Sequence, residues 1–332
     1  VLTVTFFSRK GCHLCDQARA NLQSLQAEIP HQLVEIDIES DPSLLKAYGA
    51  DIPVVEAGPY RLKAPFGMPE LRMTLGAARD RRGHLEQIAD PGYLRRAANA
   101  QTMSSADRFS LWISRHYLWL VFFLFFMYVG LPVLAPVLMK ANLQTPARLI
   151  YTVYSPLCHQ LGFRSIYLFG PQVFYPRAAA GVEHLHTFEE ATGVSEDDLL
   201  AARQYIGSEE VGYKTALCAR DIAIYSAIVV FIALYGLTGR RIKPLHWSLW
   251  LLLGILPVGL DGFSQLFSQI GIPGLNEILP YRESTPFLRI LTGALFGFMT
   301  AWFGLPYVEE SMQETRQFLV KKEKVVAQTG EK

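Results

Sequence analysis

Apolar positions change rhythm along this chain. Up to about residue 88 they come in short runs separated by polar and charged residues. Leu2–Phe7 is rich in β-branched and aromatic residues and predicts a strand. After a loop at Ser8–Gly11, Ala18, Leu22 and Leu25 recur at helical spacing. Gln32–Ile38 predicts a second strand. Asp41-Pro42 opens a short helix through Tyr48, stopped by Gly49. Ile52–Val55 starts a third strand, with Tyr60–Lys63 as its hairpin partner across Gly58-Pro59, and Pro69–Ala78 predicts a last helix. The order is β-α-β-α-β-β-α.

Beyond Trp112 the apolar runs lengthen to the roughly 20 residues a helix needs to cross a bilayer. Tyr117–Met139, Ala216–Leu237, Trp247–Phe267 and Phe287–Val308 qualify. Pro146–Leu161 is amphipathic and broken by Pro156, and predicts an interfacial or re-entrant helix. Residues 89–110 form a polar, basic linker with a helix over Tyr93–Ala100. Residues 162–215 form an insertion, in which Thr187–Gly207 predicts two short helices. Ser195 is the expected cap of the second, with Asp198 at the capping-box position. Residues 311–332 predict a solvated, charged helix or disorder. The expected architecture is an α/β domain at 1–88, then an all-α transmembrane bundle at 111–310 with about four spans and one interfacial helix.

Half of the residues are hydrophobic and the net charge is +1, so no basic face suggests nucleic acid as a partner. The N-terminus lacks a charged start followed by an apolar core, so no secretory signal is expected. Charge is segregated in a way that orients the spans. Arg95, Arg96, Arg108 and Arg115 precede the first span. Arg240, Arg241 and Lys243 separate the second and third, and Arg316, Lys321, Lys322 and Lys324 follow the fourth. The insertion is acidic instead. Lys and Arg in short loops favour the cytoplasm, so both termini are expected inside, at a bacterial inner membrane, with the lipid bilayer as one partner.

The chain has four cysteines. Cys12 and Cys15 form a Cys-x-x-Cys pair after a strand, on the first turn of a helix. Thiolate is the reactive form of cysteine, and the free amides and dipole of a helix N-terminus stabilise it. Cys12 is nearer that end and is the expected nucleophile. Cys15, one turn on, can resolve a mixed disulfide. The competing readings are a zinc half-site, which needs a second ligand pair, and two inert thiols.

The run Phe6-Phe7-Ser8-Arg9-Lys10-Gly11-Cys12-His13-Leu14-Cys15, with Ala18 and the later Asp51-Ile52-Pro53-Val54-Val55, resembles the glutaredoxin-like branch of the thioredoxin fold over the first quarter of the chain. The resemblance implies thiol–disulfide exchange with a protein or small-molecule thiol. It also implies that Pro53 is a cis-proline facing the cysteine pair, where it would align a substrate; the plain alternative is a strand-start proline. Glutaredoxins usually carry a Gly-Gly-x-Asp segment that helps hold glutathione. Here Ala64-Pro65-Phe66-Gly67-Met68-Pro69 stands in that region, which does not favour glutathione over a protein dithiol.

Polar residues cluster at one end of the expected bundle. These are Cys158-His159-Gln160, Cys218-Ala219-Arg220-Asp221, Asp261 with Gln265, and Arg282-Glu283 with Arg289. Charges in or near a span are costly and tend to be paired and functional. Singly, each can be an interfacial charge reaching water; together they predict a polar pocket on the outer side. Asp221, Asp261 and Glu283 are the expected partners of Arg220, Arg282 and Arg289. Cys158 and Cys218 can be a disulfide or redox thiols, a metal site with His159 and with His184 or His186, or two free thiols. This part also resembles an uncharacterised bacterial family of membrane proteins, through Cys158-His159-Gln160, Arg164-Ser165 and Cys218-Ala219-Arg220. That resemblance supplies no activity.

Three functions remain open on these grounds. One is a membrane-tethered thiol–disulfide oxidoreductase. Another is a transporter or solute-binding protein with a redox-sensing domain. The third is a lipid-modifying enzyme using Asp261 or Glu283.

Overall fold

A computed structural model describes residues 1–88, 90–100, 102–270 and 280–330. They fall into two compact units, Val1–His116 with Glu310–Lys332, and Tyr117–Glu309. Ala89, the first residue of the expected linker, and residues 331–332 of the tail lie outside the described residues.

The first unit has the expected element order. β1 (Leu2–Ser8), α1 (His13–Ser24), β2 (His31–Asp37), α2 (Pro42–Tyr48), β3 (Val54–Ala57), β4 (Tyr60–Lys63) and α3 (Met68–Gln87) build a four-stranded sheet in the order β2-β1-β3-β4. β1 is parallel to β2 and antiparallel to β3, and β4 closes a hairpin with β3. Successive side chains in a strand point to opposite faces. Val4 and Phe6 therefore pack with Leu22 of α1 and Leu71 and Leu75 of α3 on one side. Phe7 and Val54 pack with Val34, Ile36 and Leu44 on the other. The last helix runs nine residues past the expected Ala78, and a further helix, α4 (Pro91–Ala100), lies within the linker.

As far as residue 330 the tail is helical, with one side buried and the other open. It is the end of one helix, Pro286–Gly330. Leu319 and Val320 are 4% and 1% exposed and join the second face of the sheet together with Leu111. The physical reason is coverage: α2 is one short helix and leaves apolar strand surface open, which Leu319, Val320 and Val325 fill. Lys321 pairs with the buried Glu56, and the Gln328 amide donates to Glu35 O at 2.7 Å.

Among the described residues, four helices are long and apolar enough to cross a membrane: α5 (Ser105–Lys140), α9 (Ala219–Leu237), α10 (Trp247–Gln269) and α11 (Pro286–Gly330). Their apolar faces are open, as Trp119, Phe123 and Leu124 show on α5. Exposed apolar surface of this extent suits a lipid environment. α10 contains a wide π-helical turn at Trp250–Ile255. α11 and α9 approach closely where Gly293 and Gly297, four residues apart, stand on the α9 backbone. A Cβ on Gly293 would lie 2.7 Å from Arg220 O, and one on Gly297 would lie 2.1 Å from Ile224 O. Small residues at this spacing let helix backbones meet.

Between α5 and α9 come α6 (Gln144–Tyr154), β5 (Ser165–Leu168), α7 (Phe188–Thr192), α8 (Leu199–Gln204), β6 (Gly207–Ser208) and β7 (Gly212–Cys218). Several expectations need correction here. α6 ends at Tyr154 and does not reach Leu161; Pro156 has no amide hydrogen to donate to the preceding turn, so the helical ladder stops there. The second span begins at Ala219, because residues up to Cys218 pair as a strand in a β5-β7-β6 sheet. Ser195 does not cap α8. Asp198 does, its carboxylate accepting from the Leu200 and Ala201 amides, while Thr187 and Glu190 form a capping box on α7.

Candidate functional site

The first unit holds a dithiol at the junction of β1 and α1. Cys12 is the N-cap of α1, and its Sγ accepts from the Cys15 amide at 3.2 Å. Its carbonyl takes the Cys15 and Asp16 amides at 2.9 and 3.1 Å. The two cysteines are disulfide-bonded. Cys15 is fully buried among core side chains, whereas Cys12 is half-buried with exposed His13 and Leu14 beside it. The two sulfurs thus differ: one is reachable and sits on a helix N-terminus, and the other stands behind it. The Ile52–Pro53 bond is cis. Ile52, Phe66 and Met68 are half-buried against the same core as Cys12. Where the glutathione-type segment would lie, Glu70 closes the N-terminus of α3, accepting from the Gly67 amide at 2.9 Å.

The second unit gathers the polar clusters that are scattered along the sequence. Asp261, 6% exposed on α10, takes Arg220 from the first turn of α9, Arg282 at 2.9 Å and the Ser284 hydroxyl at 2.6 Å. Glu283, 4% exposed, takes Arg164 through both its oxygens at 2.9 and 3.1 Å. It also takes Arg289 of α11 and the Gln265 amide at 2.9 Å. Gln265 in turn accepts from Arg289 at 3.0 Å. Burial works to raise the Glu283 carboxyl, but Arg164 and Arg289 outweigh it and hold it below the usual carboxylate range.

The pairing differs from the expected one in two respects. Arg164, quoted earlier only as a motif residue, supplies the bidentate partner of Glu283. Asp221 takes no arginine among the described residues; its carboxylate instead faces Cys158 and Cys218, and the ligand atoms of all three lie within 4.8 Å of one another. Among the described residues, Asp261 and Glu283 take Arg164, Arg177, Arg220, Arg282 and Arg289, and Arg177 also pairs with Glu196 and Asp197.

The local fold explains how the cysteines meet. Gln160, with φ +53°, turns the chain after α6, and its buried amide donates to Tyr151 O and Ala216 O, both at 2.9 Å. That staple ties the Cys158 turn to β7, whose last residue is Cys218. β5 pairs with β7 so that Ser165 stands opposite Cys218, which brings Arg164 alongside. Lys214, 1% exposed, donates to Gln160 O at 2.6 Å and Arg203 O at 2.7 Å. Burial lowers its ammonium to about 7. Cys158 and Cys218 are thiols that share a hydrogen bond, which lowers Cys158 and, with burial, keeps Cys218 protonated. A cavity of about 270 Å³ opens on both, lined also by His159, Arg164, Asp221 and Arg289. His159 is exposed at that cavity and is not one of the three converging ligands. His184 and His186 are also outside the cluster; His186 lies 3.9 Å from Glu190 in the insertion.

The chain thus joins a disulfide-bonded Cys-x-x-Cys pair on a thioredoxin-like α/β unit to a unit that carries, among the described residues, helices of membrane-spanning length. Residues 3–75 match the family model described as a glutaredoxin-like domain (DUF836), and residues 211–303 match that of a predicted membrane protein (DUF2085). An uncharacterised protein of Methanocaldococcus jannaschii is 26% identical over 160 residues, covering 47% of this chain and 67% of its own length. A structural-genomics target protein from X. campestris, solved by X-ray crystallography, is 37% identical. That likeness covers 22% of this chain and 96% of the target, with a TM-score of 0.20.

Proposed function

We propose that this protein is a membrane-tethered thiol–disulfide oxidoreductase, with Cys12 as nucleophile and Cys15 as resolving thiol. The observation that carries this reading is the asymmetry of the pair: Cys12 caps a helix and is reachable, while Cys15 is buried one turn behind it. In the reducing direction, the Cys12 thiolate attacks a substrate disulfide. An S–S bond forms to Cys12 and one substrate thiolate leaves. Cys15 then attacks Cys12 Sγ, the internal disulfide closes and the second substrate thiol is released. Two electrons pass from dithiol to substrate, and an external thiol restores the pair.

The substrate is a protein or small-molecule disulfide, aligned by the backbone beside Pro53. Exposed Leu14 next to the pair supports a partner with an apolar contact, and the closed N-terminus of α3 supports a partner other than glutathione. The basic segments at Arg95–Arg115, Arg240–Lys243 and Arg316–Lys324 support an inner-membrane protein with both termini in the cytoplasm. That placement keeps the dithiol in a reducing compartment.

Turnover by the purified full chain in detergent tests the reading. With thioredoxin-type and glutathione-type reductants offered separately, the wild type is expected to reduce a protein disulfide such as that of insulin, and Cys12→Ser is expected to be inactive. Wild-type turnover in Cys12→Ser overturns the assignment.

A second reading, solute binding or transport by the membrane unit, is favoured by the cavity beside Arg164 and Arg289. It predicts solute flux that survives Cys12→Ser. A lipid-modifying role for Asp261 or Glu283 gains no such support, because arginines already occupy the carboxylate oxygens a general base would use.

A further inference from the structure

We propose that the membrane unit binds a zinc-type divalent cation through Cys158 Sγ, Cys218 Sγ and the Asp221 carboxylate, with one coordination position open to the adjoining cavity.

Two chain segments deliver the ligands, Cys218 and Asp221 being three residues apart. Cys158 sits on the turn after α6, Cys218 ends β7, and Asp221 lies in the first turn of α9. The Gln160 staple and the β5–β7 pairing fix the first two relative to each other. Their ligand atoms already lie within 4.8 Å of one another. Tetrahedral zinc with bonds of about 2.3 Å to sulfur and about 2.1 Å to oxygen places its ligands roughly 3.5–3.8 Å apart. The ligand atoms have at most about 1 Å to close to reach that spacing.

The charge distribution singles out Asp221. Among the described residues, Arg164, Arg177, Arg220, Arg282 and Arg289 all pair with Asp261 or Glu283, and none with Asp221. Asp221 is passed over although Arg220 is its chain neighbour. An acid beside two thiols, itself without an arginine partner among the described residues, is an arrangement in which three anionic ligands can form and a divalent cation can balance them. The donor set also selects the ion. Two thiolates and one carboxylate suit borderline zinc and do not suit magnesium or calcium, which take oxygen ligands.

Three protein ligands with an open fourth position are the pattern of a zinc site that exchanges water or a substrate atom, in contrast to closed four-ligand structural sites. The open position faces the cavity of about 270 Å³. The ligand set differs from the one expected from sequence, in which His159 stood where Asp221 stands.

The test uses the full chain carrying Cys12→Ser and Cys15→Ser, so that only Cys158 and Cys218 can supply thiolate. This background also separates the proposal from the dithiol reading, whose failure would leave the metal result unchanged. The chain purified in detergent is expected to carry a single equivalent of zinc. After zinc removal, added Co²⁺ is expected to give a thiolate-to-cobalt charge-transfer band. Cys158→Ser and Asp221→Asn, checked for retained fold by circular dichroism, are expected to lose the zinc and weaken the band. Absence of both zinc and the cobalt band in the folded background chain overturns the site. So does a Cys158–Cys218 disulfide in the freshly purified protein by non-reducing peptide mapping. Retention of zinc in Asp221→Asn with its loss in His159→Ala overturns the ligand set.

Discussion

Arg220 and Asp261, 41 residues apart in the chain, meet in a buried ion pair that ties the first turn of α9 to α10. The same turn carries Asp221 and follows directly on Cys218. Its position is fixed a second time by Gly293 of α11, which stands against Arg220 O. One short stretch of α9 is therefore held by a charge on one neighbouring helix and by backbone contact with the other. Those two restraints place the thiols, Asp221 and the arginines around one cavity.

If that close helix contact positions α9, filling it should loosen the site. Gly297→Ala puts a Cβ 2.1 Å from Ile224 O, where backbone must move. Overpacking of this kind costs about 1–3 kcal/mol. A lower midpoint in detergent thermal unfolding is the expected outcome. Gly304→Ala, with nothing within 4 Å of its added Cβ, is expected to leave the midpoint near wild type.

Glu283 is the most heavily partnered acid in the second unit. Glu283→Gln leaves Arg289 and Arg164 short of countercharge, and removing one member of a buried pair costs about 3–5 kcal/mol. Arg72→Ala, which breaks an exposed pair with Glu28, is expected to cost about 0–1 kcal/mol. The pH dependence follows from the lowered Glu283 carboxyl. A carboxylate whose folded value lies below its unfolded one adds stability above the unfolded value, about 4.3, and loses it as pH falls through the folded value. Wild type and Glu283→Gln should therefore differ most near neutrality and converge in acid. Thermal unfolding in detergent across the acid range measures this, and a gap that widens below about pH 4 would contradict the ion-pair account.

The end of α11 belongs to the core of the first unit. Leu319→Ala removes a side chain that is 4% exposed among Ile36, Leu44 and their neighbours. Truncations of this type cost about 2–5 kcal/mol. Limited proteolysis of the first unit is expected to accelerate in this variant, whereas Phe318→Ala, 65% exposed, is expected to resemble wild type.

The sequence made the first unit legible almost element by element, because strand and helix periodicities there are short-range and the Cys-x-x-Cys pair sits at a strand–helix junction. The tail escaped notice because its apolar residues, Leu319, Val320 and Val325, are few and set among lysines; only the uncovered sheet face gives them a role. The membrane helices were legible from length and hydropathy. The β5-β7-β6 sheet was not, since β7 runs without a polar break into α9 and is separated from β5 by more than forty residues. In the polar cluster, chain position identified Arg220, Asp261, Gln265, Arg282, Glu283 and Arg289, but it could not assign partners. Arg164 and Lys214 enter only through the strand pairing. The Gly293–Gly297 spacing is the sequence signal of the close contact between α11 and α9.

The central claim is that Cys12 is the attacking thiol and Cys15 the resolving one. The most direct measurement is trapping of a mixed disulfide by the full chain carrying Cys15→Ser. The chain is reduced, exposed to a disulfide substrate and mapped by mass spectrometry under non-reducing conditions. The account predicts substrate bound at Cys12 in Cys15→Ser, and no such adduct in Cys12→Ser. Adduct formation at Cys15 in Cys12→Ser, with Cys12 unmodified in Cys15→Ser, would contradict it.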